Sequence, residues 1–358
     1  MTSRERVLTA MRRRQPDRVP FDLSFGIAPC QLDQLVRRTG SADPVEYFGA
    51  DTRMLTIGPT RVQADLSGYL GDLPPNVTID EWGVGHKPTG SAAPAHAHLE
   101  GFIHPMAALE SGGEALDYPL PDVDAEYRYD SLASEIRAVQ SRGLAALATM
   151  TSTIFEQAWY MRGMERLLVD FVENAEFAVA LLDRITLLRR VQAARYAALG
   201  PDVITLGDDV GTQRAMLMSP DMWRRWLKPR LASVIAAARS VRPDVLIFFH
   251  SDGNIRPIIP DLIEIGVDIL NPVQPECMDP ADLKRRFGDR LSFWGTIGTQ
   301  TTFPFGTSDD VRREVRTRAE TVGKGGGLFL APTHYLEPEV PFENIVAFVE
   351  AVKETGRL

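Results

Sequence analysis

The sequence predicts an α/β fold, a (β/α)8 TIM barrel made by one domain spanning residues 1–358. Three observations predict it. Eight short apolar runs rich in β-branched and aromatic residues are spaced along the chain. In the second half they alternate with amphipathic helical stretches. Polar residues gather directly after the apolar runs, where a parallel barrel exposes its functional face.

The elements follow in order. Thr2 and Glu5 have capping-box spacing, and Val7, Leu8 and Met11 put an apolar stripe on a helix that stops at Gln15-Pro16-Asp17. The candidate strands are residues 19–25, 54–57, 144–149, 203–207, 245–250, 267–271, 291–295 and 328–331. Ser219-Pro220 opens a helix with an N-cap and a proline in the first turn, and residues 280–287 and 307–322 form two more. Such alternation implies a parallel sheet, and eight right-handed crossovers close it into a barrel; a doubly wound open sheet is the alternative. Residues 59–121, rich in Gly, Pro, Ala and His, break the rhythm and form an elaborated segment between strands two and three, expected to lie over the barrel mouth.

Composition narrows the function. Of 358 residues, 44% are hydrophobic and 24% charged, which excludes wholesale disorder. Acidic residues outnumber basic ones, 48 to 39, and the basic residues are scattered, which argues against a nucleic-acid partner. No run approaches the ~18 apolar residues of a membrane span. The first twenty or so residues lack the apolar core of a signal peptide, so the expected location is cytoplasmic. Cys30 and Cys277, far apart, supply neither a disulfide framework nor a cysteine metal cluster.

Candidate site residues stand at the predicted strand ends. They are Asp22 and Ser24, Thr149 and the Ser/Thr run after it, Asp208 and Asp209, His250 and Asp252, then Asn271, Gln274 and Glu276, Thr296 and Gln300, and finally Thr333 and His334. Each has an ordinary reading as well. Asp209 and Asp252 suit helix N-caps, the run from Thr149 suits a cap, Asn271-Pro272 a turn, and Glu276 a solvated side chain. His250 and His334 stand out because apolar runs deliver both to the same end of the barrel, where an imidazole serves acid–base or metal chemistry. His86, His96, His98 and His104 fall in the irregular segment; His96 and His98 have metal-like spacing but read as a solvated pair. Arg53, Arg61 and Arg162 are candidate anchors for an acidic substrate or plain surface residues.

The stretches HSDGNI, IPDLIEIGVDILNPVQP, GDRLSFWGTIGTQ, FPFGTSDDVRREV and GGGLFLAPTHYLEPEVPFENIVAFVEA, in this order, resemble the uroporphyrinogen decarboxylase-like superfamily, as do RERVLTAMRRRQPDRVPFDLSF and LGDDVGTQRAMLMSPDMWRRWLKPRL. The resemblance implies a (β/α)8 barrel and one of two activities, decarboxylation of uroporphyrinogen or zinc-dependent methyl transfer involving a corrinoid protein. The decarboxylases carry an Arg-Gln-Ala-Gly-Arg signature on the first strand that holds substrate carboxylates; here that strand reads PFDLSFG, which argues against a true uroporphyrinogen decarboxylase. The methyltransferases hold zinc through a His-x-Cys pair and a distant Cys. The matching positions here are His250, Asp252 and His334, so both cysteines are replaced by other competent zinc ligands.

The resemblance therefore implies metal-assisted methyl transfer between a small methylated substrate and a corrinoid. The chain has no Asp-x-His-x-x-Gly motif, so the corrinoid is expected on a partner protein. His250, Asp252 and His334 are the expected zinc ligands, and Asp22, Asp208, Asp209 and Glu276 the expected catalytic or ligand-orienting carboxylates. Thr149, Asn271, Gln274 and Gln300 are the expected substrate contacts, and a homodimer is the expected assembly. Replacing thiolates by harder ligands favours an oxygen substrate over a thiol; the rival view is that the metal went with the cysteines. Two alternatives stand beside this reading, a decarboxylase of a small cyclic acid using Asp22 or Asp208, and a barrel that binds a tetrapyrrole or corrinoid without transforming it.

Overall fold

A computed structural model describes residues 1–87, 101–150 and 152–357. In chain order the strands are β1 (Thr52–Leu55), the two-residue strands β2 (Thr78–Ile79), β3 (Gly85–His86) and β4 (Phe102–Ile103), then β5 (Ala145–Met150), β6 (Val203–Gly207), β7 (Leu246–His250), β8 (Ile269–Asn271), β9 (Ser292–Ile297) and β10 (Leu328–Pro332). Seven of them form one parallel sheet in the order β1-β5-β6-β7-β8-β9-β10, while β2, β3 and β4 make a small antiparallel sheet. Every residue of β6, β9 and β10 is buried, as expected of parallel strands covered on both faces.

Residues 19–25, expected as the first strand, form no regular ladder. Pro20 has no N–H to donate, and at Ser24 the backbone turns to a φ of 50° with its N–H bonded back to the Asp22 carboxylate. The segment nonetheless touches both edges of the sheet. The Leu330 N–H donates to Pro20 O, the Asp22 N–H to Leu330 O, and the Asp51 N–H to Phe21 O. The two edge strands therefore curl toward one shared stretch of chain.

Side chains alternate along each strand, and one set fills the interior of this curl. Ala145 and Leu147, Val203, Leu246 and Phe248, Ile269, Trp294, Phe329 and Ala331 form one apolar cluster. Its lower end is filled by the N-terminal helix Ser3–Met11, whose Val7, Ala10 and Met11 join the same cluster with no solvent exposure. Thr2 caps this helix with a full capping box to Glu5. The helix enters at the N-terminal ends of the strands: the Arg4 N–H donates to Gly143 O, the Gly327 N–H to Ala10 O, and Ser292 Oγ to Met11 O. Fully buried Asp51 ties the entry together, accepting hydrogen bonds from Arg6, from Arg18 and from the Phe21 N–H. Only the C-terminal strand ends remain open.

The small sheet sits beside the helix Phe155–Arg162 that follows β5. The Phe102 ring packs on Trp159 and Tyr160, His104 Nδ1 donates to Tyr160 O, and the Met106 N–H donates to Met161 O. Arg162 is neither a surface residue nor a substrate anchor. Its guanidinium is wholly buried, paired with Asp170 and donating to the carbonyls of Met106 and Leu109. Among the described residues no helix is long and apolar enough to cross a membrane.

Because Met11 is fully buried in the plug, Met11→Ala should lower unfolding stability by about 2–5 kcal/mol. Phe305→Ala, at a side chain 80% exposed, should change it by no more than about 0.5 kcal/mol. Urea denaturation midpoints of the two variants check the contrast.

Candidate active site

The open end of the sheet encloses a cavity of about 260 Å³. Its walls follow from strand alternation. Phe248 and Trp294, at the top of the apolar cluster, are joined by Thr149, Thr205, Gly207, His250 and Asn271, which continue the same inward-facing rows toward the C-terminal strand ends. Gly207, His250 and Asn271 lie side by side in register across β6, β7 and β8. A side chain at Gly207 would place its Cβ 3.0 Å from that of His250, so the glycine leaves the imidazole its room.

His250 is fixed by a relay. The Asn271 side-chain amide donates to Trp294 O at 3.2 Å, which turns Asn271 Oδ1 toward His250 Nδ1, 2.5 Å away. Nδ1 must then carry the proton, and Nε2 faces Asp209 Oδ1 at 3.5 Å and Asp252 Oδ1 at 3.9 Å. A ring nitrogen held this way by its opposite edge is the usual arrangement of a metal-binding histidine.

Asp209 and Asp252 come from the loops after β6 and β7. Those loops touch backbone to backbone at Gly211 and Gly253, where a Cβ on Gly253 would lie 2.6 Å from Gly211 C. Gly253 has a φ of 80°, open to glycine at little cost. The Asp252 N–H donates to Asp209 Oδ1 at 2.7 Å, and the Asn254 N–H to Thr212 O. Ligand atoms of Asp209, His250 and Asp252 all lie within 4.8 Å of one another. Asp252 Oδ1 is buried without a hydrogen-bond partner, an acceptor left for a cation. Burial, with Asp209 adding to it and His250 opposing, pushes the Asp252 carboxyl up to about 7. For His250, burial disfavours the charged ring, but Asp252, Asp209 and the Asn271 hydrogen bond together raise its pKa.

Two further carboxylates complete the electrostatics. Glu156, in the first turn of the helix Phe155–Arg162, lines the cavity beside Tyr160, whose hydroxyl lies 3.4 Å from Glu156 Oε1. Burial, then Asp209 and Asp208, push the Glu156 carboxyl well above its ordinary value. Asp208 sits behind the wall. Its carboxylate accepts the N–H groups of Ile154 and Glu156, and burial raises it to about 7 against those bonds and the nearby charge of Arg189.

The remaining sequence candidates are spread around this chamber. Asp22 lies outside its lining, accepting from Thr52 Oγ1, the Ser24 N–H and the Trp294 side chain; burial raises it to about 6. Thr149 Oγ1 is buried with no partner at the wall. His334 lines the chamber but is not grouped with Asp209, His250 and Asp252; Phe25 packs against both imidazoles, 5.0 Å from His334 and 5.3 Å from His250. A neighbouring groove of about 660 Å³ shares Asp252 and His334 with the chamber and takes in Gln274 and Gln300. Gln274 Oε1 accepts the Gly253 N–H, and Glu276 accepts from Thr301 Oγ1. Arg53 pairs with Glu46, and Arg61 stacks on Tyr127. His86 pairs with Asp80, while His96 and His98 lie outside the described residues. Sequence reading passed over Glu156, Tyr160, Phe25, Phe248 and Trp294. The last two follow from strand alternation, while Glu156 had no signal beyond its place six residues past the end of β5, in the first turn of the next helix.

Two measurements probe this geometry. Asn271→Leu removes the bond that favours the charged imidazole, so the His250 titration midpoint should fall, as followed by NMR of the ring protons. For Asp208, the unfolded carboxyl titrates near about 3.9, so between about pH 4 and 7 only the folded state holds the proton. Its contribution is therefore full below pH ~4 and lost as pH rises through ~7. Asp208→Asn should flatten that decline in urea midpoints measured across the same window.

The family model for uroporphyrinogen decarboxylase (URO-D) matches residues 116–355. Among curated proteins, the methylcobamide:CoM methyltransferase MtaA of Methanosarcina barkeri is 34% identical over 99% of this chain and 98% of its own length. A uroporphyrinogen decarboxylase of Coxiella burnetii is 24% identical over 48% of this chain and 46% of its own. Among solved structures, a methyltransferase from Methanosarcina mazei superposes with a TM-score of 0.63 at 21% identity, covering 99% of both chains, which supports the shared fold. With a curated relative matched end to end and the family model covering two thirds of its length, the chain belongs to the uroporphyrinogen decarboxylase family.

Proposed function

We propose that this protein is a methyltransferase that moves a methyl group between the heteroatom of a small molecule in the chamber and a corrinoid carried by a separate partner protein. The observation that carries the reading is the full-length relationship to a methylcobamide methyltransferase, joined to a chamber at the C-terminal strand ends that gathers Asp209, His250 and Asp252. On this reading the whole chain is one domain, a (β/α)8 barrel closed by residues 19–25, with residues 59–121 covering part of its mouth. The corrinoid would approach over the open strand ends, past Phe25 and His334.

Asp209, His250 and Asp252 would hold a divalent ion such as zinc, and the orphaned Asp252 oxygen and the fixed His250 ring fit that role. Such an ion supplies Lewis acidity to the heteroatom that gains or loses the methyl group. The chain's own residues do the rest. Asn271 holds the His250 tautomer, Asp208 fixes the backbone that presents Glu156, and Glu156 stores a proton beside the chamber. Thr149 Oγ1 offers a hydrogen bond to the substrate. Asp22 steadies Trp294, and Gln274, Glu276 and Gln300 shape the outer groove through which a longer molecule would extend. His334 stands at the mouth as a fourth ligand or a gate beside Phe25. The decarboxylase alternative gains no support, because no Lys or Arg among the described residues lines the chamber to hold a carboxylate.

Protein purified without chelator should contain about one equivalent of metal by elemental analysis. His250→Ala and Asp252→Asn should lose it, with methyl transfer from methylcobalamin falling at least about a hundredfold in both. His334→Ala separates the two roles at the mouth, since loss of metal there makes it a ligand and retention makes it a gate. A metal-free parent that still transfers methyl groups after prolonged chelation would remove the metal from the mechanism.

A further inference from the structure

Beside the chamber lies a second cavity of about 450 Å³, lined by residues at the ends of β1 and β5 and by His86 and Phe102 of the small sheet. Thr149, Ser152 and Tyr160 line both spaces, so the two share a wall. Arg189, from the long helix Ala175–Leu199, lines only the second cavity and is 6% exposed.

A guanidinium has five N–H groups, and here three have partners. Nε donates to Thr153 O at 3.1 Å, Nη2 to Ser152 O at 3.0 Å and Nη1 to Gln192 Oε1 at 2.8 Å. All three acceptors are neutral, and one N–H on each terminal nitrogen is left over. The carboxylates that line the same cavity are already matched. Arg128 donates to both oxygens of Glu81, and Asp80 pairs with His86 while accepting the N–H groups of Trp82 and Val84. Arg162, also buried, has Asp170 as its ion-pair partner; Arg189 has none among the described residues. Burial lowers the Arg189 pKa to about 10, which leaves it charged at neutral pH. A buried cation without a counter-charge is costly to fold around.

Gln157 supplies a second, independent observation. It stands on the helix Phe155–Arg162, lines the same cavity and is only 5% exposed, yet its side-chain amide has no hydrogen-bond partner among the described residues. Buried polar groups are ordinarily paired, so an idle amide beside an uncompensated guanidinium marks a place prepared for a guest. The free guanidinium N–H groups suit the oxygens of a planar carboxylate.

We infer that this side cavity is a binding site, distinct from the chamber, for a small organic carboxylate that takes the free N–H groups of Arg189 and the amide of Gln157. Its carbon body occupies the part of the cavity lined by Ile57 and Phe102. The volume falls within the range of about 300–1,000 Å³ common for small-molecule sites. The inference goes beyond the methyl-transfer reading and does not rest on it, because neither Arg189 nor Gln157 is among the proposed metal ligands.

Ligand-detected NMR titration of the protein as purified tests it with butyrate, the neutral isostere butyramide, and inorganic phosphate. Butyrate should bind at least about tenfold tighter than either of the others. Gln157→Leu should weaken butyrate about tenfold without lowering the urea midpoint, since folding loses no bond of that amide. Butyrate held by a metal in the chamber would be untouched by this change. Arg189→Lys keeps the charge but not the planar fork, and should weaken butyrate at least as much. If Arg189→Lys does not fold, the Gln157→Leu comparison decides alone. Absence of butyrate binding, equal affinity for butyrate and butyramide, tighter binding of phosphate, or full butyrate affinity in folded Gln157→Leu overturns the inference.

Discussion

A parallel sheet curled on itself has an inside that must be filled, and here one end is filled by the protein's own first helix. Val7, Ala10 and Met11 complete the apolar cluster begun by Leu147, Phe248, Trp294 and Phe329. The ion-pair knot of Arg6 and Arg18 on buried Asp51 holds that helix in place. With the lower end closed to water, polar inward-facing residues are tolerable only at the upper end, where loops can satisfy them. That single constraint places Thr149, His250 and Asn271 around one chamber, although they lie far apart in sequence.

Within the chamber, position and charge are set by different devices. Position comes from the backbone. The register of Gly207, His250 and Asn271 gives the imidazole space and a partner, and the contact of Gly211 with Gly253 draws two loops together so that Asp209 meets Asp252. Charge comes from burial. Burial raises the proton affinity of Asp208, Asp252 and Glu156, and neighbouring carboxylates raise it further, with no described Lys or Arg in the chamber lining.

Much of this was legible in the sequence, and the losses have physical causes. Seven of the eight apolar runs are strands of one parallel sheet, because length, β-branching and flanking helices all agree. Residues 19–25 looked like the others but carry Pro20, which cannot donate to a ladder, and Ser24, whose positive φ ends it. The strand-end rule brought His250, Asp252 and Asp209 to notice. It could not show that Asp209 would join the pair while His334 packed beside Phe25, because that depends on two loops meeting at glycines. Asp208 and Asp209 are adjacent and chemically alike. Only the structure separates the one that caps the helix containing Glu156 from the one that faces the chamber. Arg162 shows the opposite failure, since a cation that reads as surface or ligand anchor is an internal staple between a helix and the small sheet.

The replaced cysteine positions gain a reason from this charge distribution. A thiolate at the position of Asp252 would bring the same single negative charge, but on a large, soft atom suited to activating another sulfur. A thiolate at the position of His334 would add one more negative charge to a chamber lining that already holds Glu156, Asp209 and Asp252 and no described Lys or Arg. An imidazole there keeps a potential ligand without a thiolate's charge, and it packs tilted against Phe25, 5.0 Å between ring centres. Asp209, brought in by the glycine contact, would on the metal-binding reading offer a hard oxygen as third ligand in place of sulfur. On the metal-binding reading, a carboxylate supplied by the loop after β6 would make sulfur ligation from the end of β10 unnecessary, and the site would be harder than one built to activate a thiol.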